Sequence, residues 1–241
     1  MDAALDQFPV WTADGRRIVF GSQRAGGVSN LWWQLADGTG AAERLAVSDR
    51  QQLPTGIAPD GTLVFYGQTP STGCDLMRLT LDGARRISPL LQTPADERNG
   101  IVTPDGHWLA YESDGSGRYE IHVRPFPNTD DGQWQVSSAG GTRPLWSRNG
   151  KELFFLGSDG RLMGAPVEAS STVWNAGTPA KLHEKVYYGA QLSSGRSYDV
   201  SPDGRRFLMI TTTEGAATDQ AQVIVVQHWD EELKRLVPTR R

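Results

Sequence analysis

Acidic, amide and guanidinium side chains recur at five matching places along the chain: "LDQF" at 5–8, "RQQL" at 50–53, "ADERN" at 95–99, "GGTRP" at 140–144 and "SGRSYD" at 194–199. An arginine offers a planar fork that grips a carboxylate with two hydrogen bonds, and an acid answers an ammonium or an N–H group. Folding that gathers such residues makes a site for a peptide, a protein segment or a small zwitterionic or carboxylate ligand, rather than a phosphate polymer. The ligand-binding candidates are Gln7, Gln52, Glu97, Arg98, Arg143, Arg196 and Asp199. Arg143 is expected to be an exposed loop side chain, important to a ligand and of little weight in stability.

Other chemistries find no residues to carry them. No GxSxG nucleophile elbow occurs. In "HEKVY" Tyr187 stands where a zinc-binding HExxH helix needs its second histidine. "DDGQW" and "SDGSGRYE" hold acids and glycines but lack the alternating ligands of a calcium loop, and hairpin turns account for both. His107, His122, His183 and His228 fall in different repeats, and no two are at ligand spacing. The lone cysteine, Cys74, can form no intrachain disulfide and reads as a small packed or turn residue. No catalytic residue and no cofactor follow from this reading.

The net charge of −4 is spread over interspersed acids and bases, without a Lys/Arg run, so no nucleic-acid partner is expected. The longest apolar run is about five residues, far short of a membrane span. The start, "MDAALDQFPVW", has neither a basic nor an apolar signal region. The expected location is the cytoplasm or, if the chain is part of a longer exported one, the periplasm.

What would position the five polar segments is a repeat. Each lies just before one of "VWTADGRRIVF", "GIAPDGTLVFY", "IVTPDGHWLAY", "LWSRNGKELFF" and "YDVSPDGRRFLMI". Their turn glycines, Gly15, Gly61, Gly106, Gly150 and Gly204, are spaced by 46, 45, 44 and 54 residues, a period that signals a repeat architecture. In each copy a short strand ends in Ala, Ser or Thr. A turn follows, with Pro preset at φ near −65°, Asp or Asn next and Gly at positive φ. An apolar run then reads as a strand buried on both faces. Third strands are "NLWWQL", "DLMRLT", "EIHVRPF", "RLMGAPV" and "QVIVVQ"; fourth strands are "ERLAV", "RRISPL", "WQVSS" and "AKLHEKV". A four-stranded sheet with two apolar faces buries both by packing radially against its copies, which makes an all-β propeller of five four-stranded blades. A two-sheet sandwich is the alternative, but it needs no fixed period.

The blades are placed at 8–52, 53–98, 99–142, 143–196 and 197–229, all in one domain over 1–241. "DEELKRLVP" reads as a short helix over 230–237. The fifth blade then lacks a fourth strand, so the ring closes through the N-terminal segment or is left open beside a missing blade. Trp11 and Trp146 end inner strands and are expected between blades. Trp174, in the insertion before the fifth repeat, is expected to be exposed.

The repeated motif resembles the WD40-like (PD40) repeat of TolB-like propellers. "EIHVRPFPNTDDGQWQVSSAGGTRPLWSRNGKELFF", "YDVSPDGRRFLMI" and "VIVVQHWDEELKRLVP" are similar to the C-terminal propeller of bacterial TolB-like proteins and of kinase-linked sensor domains. Ile57 replaces the common Trp of the motif and "SRNG" replaces "SPDG"; a turn tolerates both. The resemblance implies a non-catalytic binding or sensory module that meets a protein or peptide at the mouth of its channel. Kinase motifs are absent, so no kinase activity is implied. The alternative function is a propeller hydrolase of lactonase or esterase type, in which a central calcium ion polarises a carbonyl and activates water. Glu97, Asn99 and Asp199, with Asp6 as a fourth, are the residues that would hold it.

Overall fold

The computed structural model describes residues 4–187 and 195–210. These fall in one compact unit, Met1–Thr211. The expected fifth-blade strand "QVIVVQ" and the helix over 230–237 lie outside the described residues, as does most of the Tyr187–Ser197 loop.

Four antiparallel four-stranded sheets follow one another, each with its strands in chain order. The first blade has β1 (Asp6–Trp11), β2 (Arg17–Ser22), β3 (Asn30–Leu35) and β4 (Glu43–Arg44); the second has β5 (Gln52–Ile57), β6 (Leu63–Thr69), β7 (Gly73–Leu79) and β8 (Ile87–Leu91). The third has β9 (Glu97–Val102), β10 (Trp108–Ser113), β11 (Glu120–Pro125) and β12 (Trp134–Gln135), with a 3-10 turn at Thr129–Asp131. The fourth has β13 (Gly141–Trp146), β14 (Glu152–Gly157), β15 (Arg161–Pro166) and β16 (Ala180–Val186). A hairpin of β17 (Tyr198–Val200) and β18 (Phe207–Met209) begins the fifth repeat. Among the described residues the architecture is a β-propeller of four complete blades and the start of a fifth, and Asp6 and Gln7 are spent in the first blade's own inner strand.

The turn grammar explains the hairpins. The amide of each turn glycine donates to the carbonyl three residues back, as from Gly15 to Thr12 at 2.8 Å and from Gly150 to Ser147 at 2.9 Å. All five glycines hold φ between +67° and +86°, where a side chain is strained. The Thr or Ser that opens the turn caps it: Thr12 Oγ1 donates to Asp14 at 2.6 Å and accepts the Arg17 amide at 3.0 Å. Thr103, Ser147 and Ser201 repeat this circuit with Asp105, Asn149 and Asp203. Consecutive turns neighbour each other, with Gly106 against Pro59 and Gly150 against Pro104. They therefore form one rim, and the polar segments form the other.

The second strands are buried along most of their length. Apolar clusters fill the seams. Val19, Leu31 and Phe65 lie between the first two blades; Leu53, Leu76, Leu109 and Tyr111 lie between the second and third. Trp108, Ile121, Trp146 and Phe155 lie between the third and fourth. Trp146 also donates to the Ile101 carbonyl of the preceding inner strand, at 3.1 Å. Trp11, at the matching position of the first blade, is 60% exposed. Its partner would be an earlier inner strand, and the described residues contain none. Trp174 corrects the other tryptophan expectation. It is buried, with its ring 5.4 Å from Trp108 and 5.8 Å from Trp146. The insertion folds over the seam, and its Ser170 carbonyl accepts the Trp108 indole N–H at 2.8 Å.

Candidate functional site

Inner strands β1, β5, β9 and β13 stand side by side in that order, so their first residues face a common axis. At one register position the strands do something that repeats alone would not reveal. Phe8, Asn99 and Arg143 adopt φ of +56°, +52° and +58°. Each lies seven residues before the turn glycine of its blade. The pairing register slips there in all three blades. These are β-bulges, which bend a strand and re-aim its side chains. The second blade has Pro54 at this position, whose ring forbids positive φ, and its slip falls between Pro54 and Gly56.

Buried long-range bonds hold the bulges. Glu112, on β10 and 1% exposed, accepts the Arg143 amide at 2.7 Å through one oxygen and the Arg98 guanidinium at 3.0–3.1 Å through the other. Arg98 also lies 3.8 Å over the Tyr119 ring. Arg143 is itself 1% exposed, which corrects the expectation of an exposed loop residue. Its Nε donates to the Gly195 carbonyl at 2.6 Å, and its carbonyl accepts the Tyr198 hydroxyl at 2.8 Å. Burial pulls the Arg143 pKa down, and Glu112 opposes that shift. The residue is a strut because the bulge turns its side chain inward, and a turn-based reading of "GGTRP" gives no sign of that.

Gly195 closes this ring. Its amide donates to Asn99 Oδ1 at 3.2 Å and its carbonyl takes Arg143, so it bridges the third and fourth blades. It holds φ of +83°, and a Cβ there would fall inside the Phe8 ring of the first blade. Around this junction lies a cavity of 200 Å³, lined by Phe8, Pro54, Thr55, Asn99, Arg196 and Asp199 among others. Four repeats contribute to it. Asn99 is buried, and its Nδ2 has no hydrogen-bond partner. Burial lowers the Arg196 pKa, while Tyr198 and Asp199 raise it.

Of the residues nominated from sequence, Arg196 and Asp199 line this axial cavity, together with Asn99. Arg98 and Arg143 stand behind it on Glu112. Gln7, whose Nε2 donates to Ser29 at 3.1 Å, faces a groove on the first blade with Asp6. Gln52 is buried with its Oε1 unpartnered. Glu97 lines a separate cavity on the third blade, so Glu97 does not share a cavity with Asn99 and Asp199. Among the described residues no group of three or more His, Cys, Asp or Glu converges. Cys74 is half-buried, and burial pushes its thiol up to about 11, away from nucleophile chemistry. Sequence reasoning missed Phe8, Thr55 and Glu112. Their only sequence signal was position in the repeat.

Comparison with solved structures places the architecture. A TolB-type protein of Agrobacterium tumefaciens superposes with a TM-score of 0.68 at 16% identity, over 85% of this chain and 74% of that one. The fold is that of a TolB-like β-propeller. TolB of Acinetobacter baumannii gives a TM-score of 0.62 at 20% identity, over 88% of this chain and 50% of that one. A puromycin-hydrolyzing peptidase of Mycobacterium tuberculosis gives 0.59 at 19% identity, over 83% and 34%. No protein-family model and no curated protein matches the chain. The TolB-like propeller is here built from a ring of bulged inner strands locked by Glu112, Arg143 and Gly195.

Proposed function

We propose that this propeller is a non-catalytic binding module whose axial cavity anchors the carboxylate of a peptide or protein segment. The observation that carries the reading is the buried, unpartnered Asn99 Nδ2 in a cavity that also presents Arg196 and Asp199. A buried donor left unpaired costs about 1–3 kcal/mol, so such a group calls for a partner. A carboxylate supplies one. It accepts from the Asn99 amide and from the Arg196 fork, restoring the counter-charge that burial makes valuable. Asp199 is placed to take an N–H group of the same segment. A volume of 200 Å³ is smaller than the ~300 Å³ at which small-molecule sites begin. It suits one side chain or one chain terminus, which leaves the rest of the partner on the rim.

The test is calorimetry with short peptides that end in a free or an amidated carboxyl, or that carry Asp or Asn at one position. Binding by the carboxylate forms, weakened at least tenfold by Arg196→Ala, supports the reading. Equal binding of both forms, or none, overturns it. A calcium-dependent rise in Tm that Asp199→Asn abolishes would instead favour a calcium-dependent hydrolase.

A further inference from the structure

The third blade carries a second cavity, of 360 Å³, on the face turned to the second blade. Its polar wall consists of Glu97, Tyr111, His122, Arg124 and Gln133, with Ser116 at the solvent side. The hydrogen bonds in this wall fix where its protons are. Arg124 can only donate. Its Nε donates to the Tyr111 hydroxyl at 2.9 Å, one terminal nitrogen to the Thr129 carbonyl at 2.7 Å, and the other to Gln133 Oε1 at 2.7 Å. Gln133 is thereby oriented, and its Nε2 donates to His122 Nδ1 at 3.0 Å. His122 Nδ1 must then be an acceptor, so the ring proton is on Nε2. Burial lowers the pKa of this histidine, in keeping with a neutral ring.

The outcome is a set of unspent groups facing one space. The Tyr111 hydroxyl accepts from Arg124 and keeps its own proton to give. His122 has an Nε2–H to give. No described residue accepts either. Glu97, 1% exposed, takes the Thr93 hydroxyl and, at 3.3 Å, the Thr93 amide, which leaves lone pairs on both oxygens. Tyr111 and His122 are stacked on one another, with ring centroids 5.6 Å apart, and both line the cavity.

The charges in the wall select the ligand. An anion would meet the Glu97 carboxylate above about pH 7, and three of the five Arg124 N–H groups are already committed to neutral oxygens. A cation would meet the Arg124 guanidinium. What remains is a neutral molecule with several hydroxyls, each able to accept one hydrogen bond and donate another. We propose that this cavity binds a neutral polyhydroxylated ligand of monosaccharide size, at a site separate from the axial one. It would lie against the Tyr111–His122 pair, with its hydroxyls on Tyr111, His122 Nε2 and Glu97. The volume lies within the usual range for small-molecule sites, about 300–1,000 Å³.

At pH 8, where Glu97 is ionised, the full chain is titrated with glucose, galactose, mannose and N-acetylglucosamine, and with galacturonate and glucosamine as charged counterparts. The His122 ring resonances are followed by NMR, with exposed His107 and His183 as references. The expected result is that a neutral sugar moves His122 and leaves the references still, and that the charged counterparts bind more weakly. His122→Phe keeps the ring and removes the donor, and should weaken binding tenfold or more. Arg196→Ala should leave sugar binding unchanged, which separates this site from the axial one. The proposal fails if no neutral sugar moves His122, if a charged counterpart binds as tightly, or if binding survives His122→Phe within twofold. Should that variant not fold, the wild-type resonances alone decide.

Discussion

The two rims of the propeller are built from different kinds of bond. On the turn rim, every hydrogen bond of the cap joins residues two to five apart, and the same circuit recurs with Thr12, Thr103, Ser147 and Ser201. At Asp14 and Asp203 the neighbouring hydroxyl and the following amides hold the carboxyl below its usual range. On the mouth rim the bonds span 31 to 96 residues, from Arg143 to Glu112, Arg143 to Gly195 and Gly195 to Asn99. There three non-glycine residues sit at positive φ, and buried groups at Gln52, Asp75 and Asn99 lack partners. The turn rim is self-sufficient and repeats. The mouth rim is strained and incompletely satisfied, the pattern expected where a fold spends stability on a site.

The comparison is most easily broken at Glu112. Glu112→Ala leaves the Arg143 amide and the Arg98 guanidinium without their acceptor in the interior. Breaking a buried charged pair costs about 3–5 kcal/mol. Urea unfolding should show a loss of that size, whereas Asp14→Ala on the turn rim should lose far less. Equal losses would mean that the mouth network adds nothing special.

Glu97 gives the next effect, through pH. Burial raises its carboxyl from an ordinary value near 4.5 to about 7, against the hydrogen bonds from Thr93; nearby Asp75 adds to the rise and Arg124 opposes it. The folded state therefore holds a proton that the unfolded chain has released, and stability falls as pH rises from about 4.5 to 7. The fall from this group is on the order of 3 kcal/mol. Glu97→Gln should flatten the curve across that window. A variant whose curve parallels the wild type would assign the pH dependence elsewhere.

A pair of glycines sharpens the contrast. Gly195 and Gly204 both hold positive φ, +83° and +70°. A Cβ at Gly204 would meet nothing within 4 Å, whereas one at Gly195 would enter the Phe8 ring. Gly195→Ala combines backbone strain with overpacking and should cost about 2–4 kcal/mol. Gly204→Val carries strain alone and should cost about 1–3 kcal/mol. A reversed order in chemical denaturation would contradict the packing described for the axis.

The turn rim was legible in the sequence because its information is local. Pro, Asp and Gly at fixed offsets name a turn, and five copies name the propeller. Among the described residues the hairpins and the third and fourth strands of the first four blades appear where that grammar put them. The mouth was legible only as a neighbourhood. Nothing in "GGTRP" distinguishes a solvated arginine from a buried one, since Arg143 is turned inward by a bulge and met by a glutamate 31 residues earlier. Trp11 and Trp146 occupy the same motif position, and only the presence of a preceding inner strand separates an exposed indole from a buried one. Trp174 looked exposed because its loop is irregular, yet two other tryptophans cover it.

The smallest effect tests the turn rim from the opposite direction. In the second repeat the capping position is Ala58, so the circuit lacks its hydroxyl, while the Ala58 amide still donates to the Thr62 carbonyl at 2.8 Å and Asp60 still takes the Thr62 amide at 2.9 Å. Ser147 fills the matching place in the fourth blade and is as buried as Ala58, at 2% exposure against 1%. Ala58→Ser should complete the circuit, donating to Asp60 and accepting the Leu63 amide as Ser147 does for Asn149 and Glu152. The gain should be about 0.5–1.5 kcal/mol, the net worth of a hydrogen bond in a folded protein, and thermal unfolding should show a higher Tm. A lower Tm would mean that packing at Ala58, which belongs to the seam between the second and third blades, outweighs the cap. The turn rim would then depend on the interior as the mouth does.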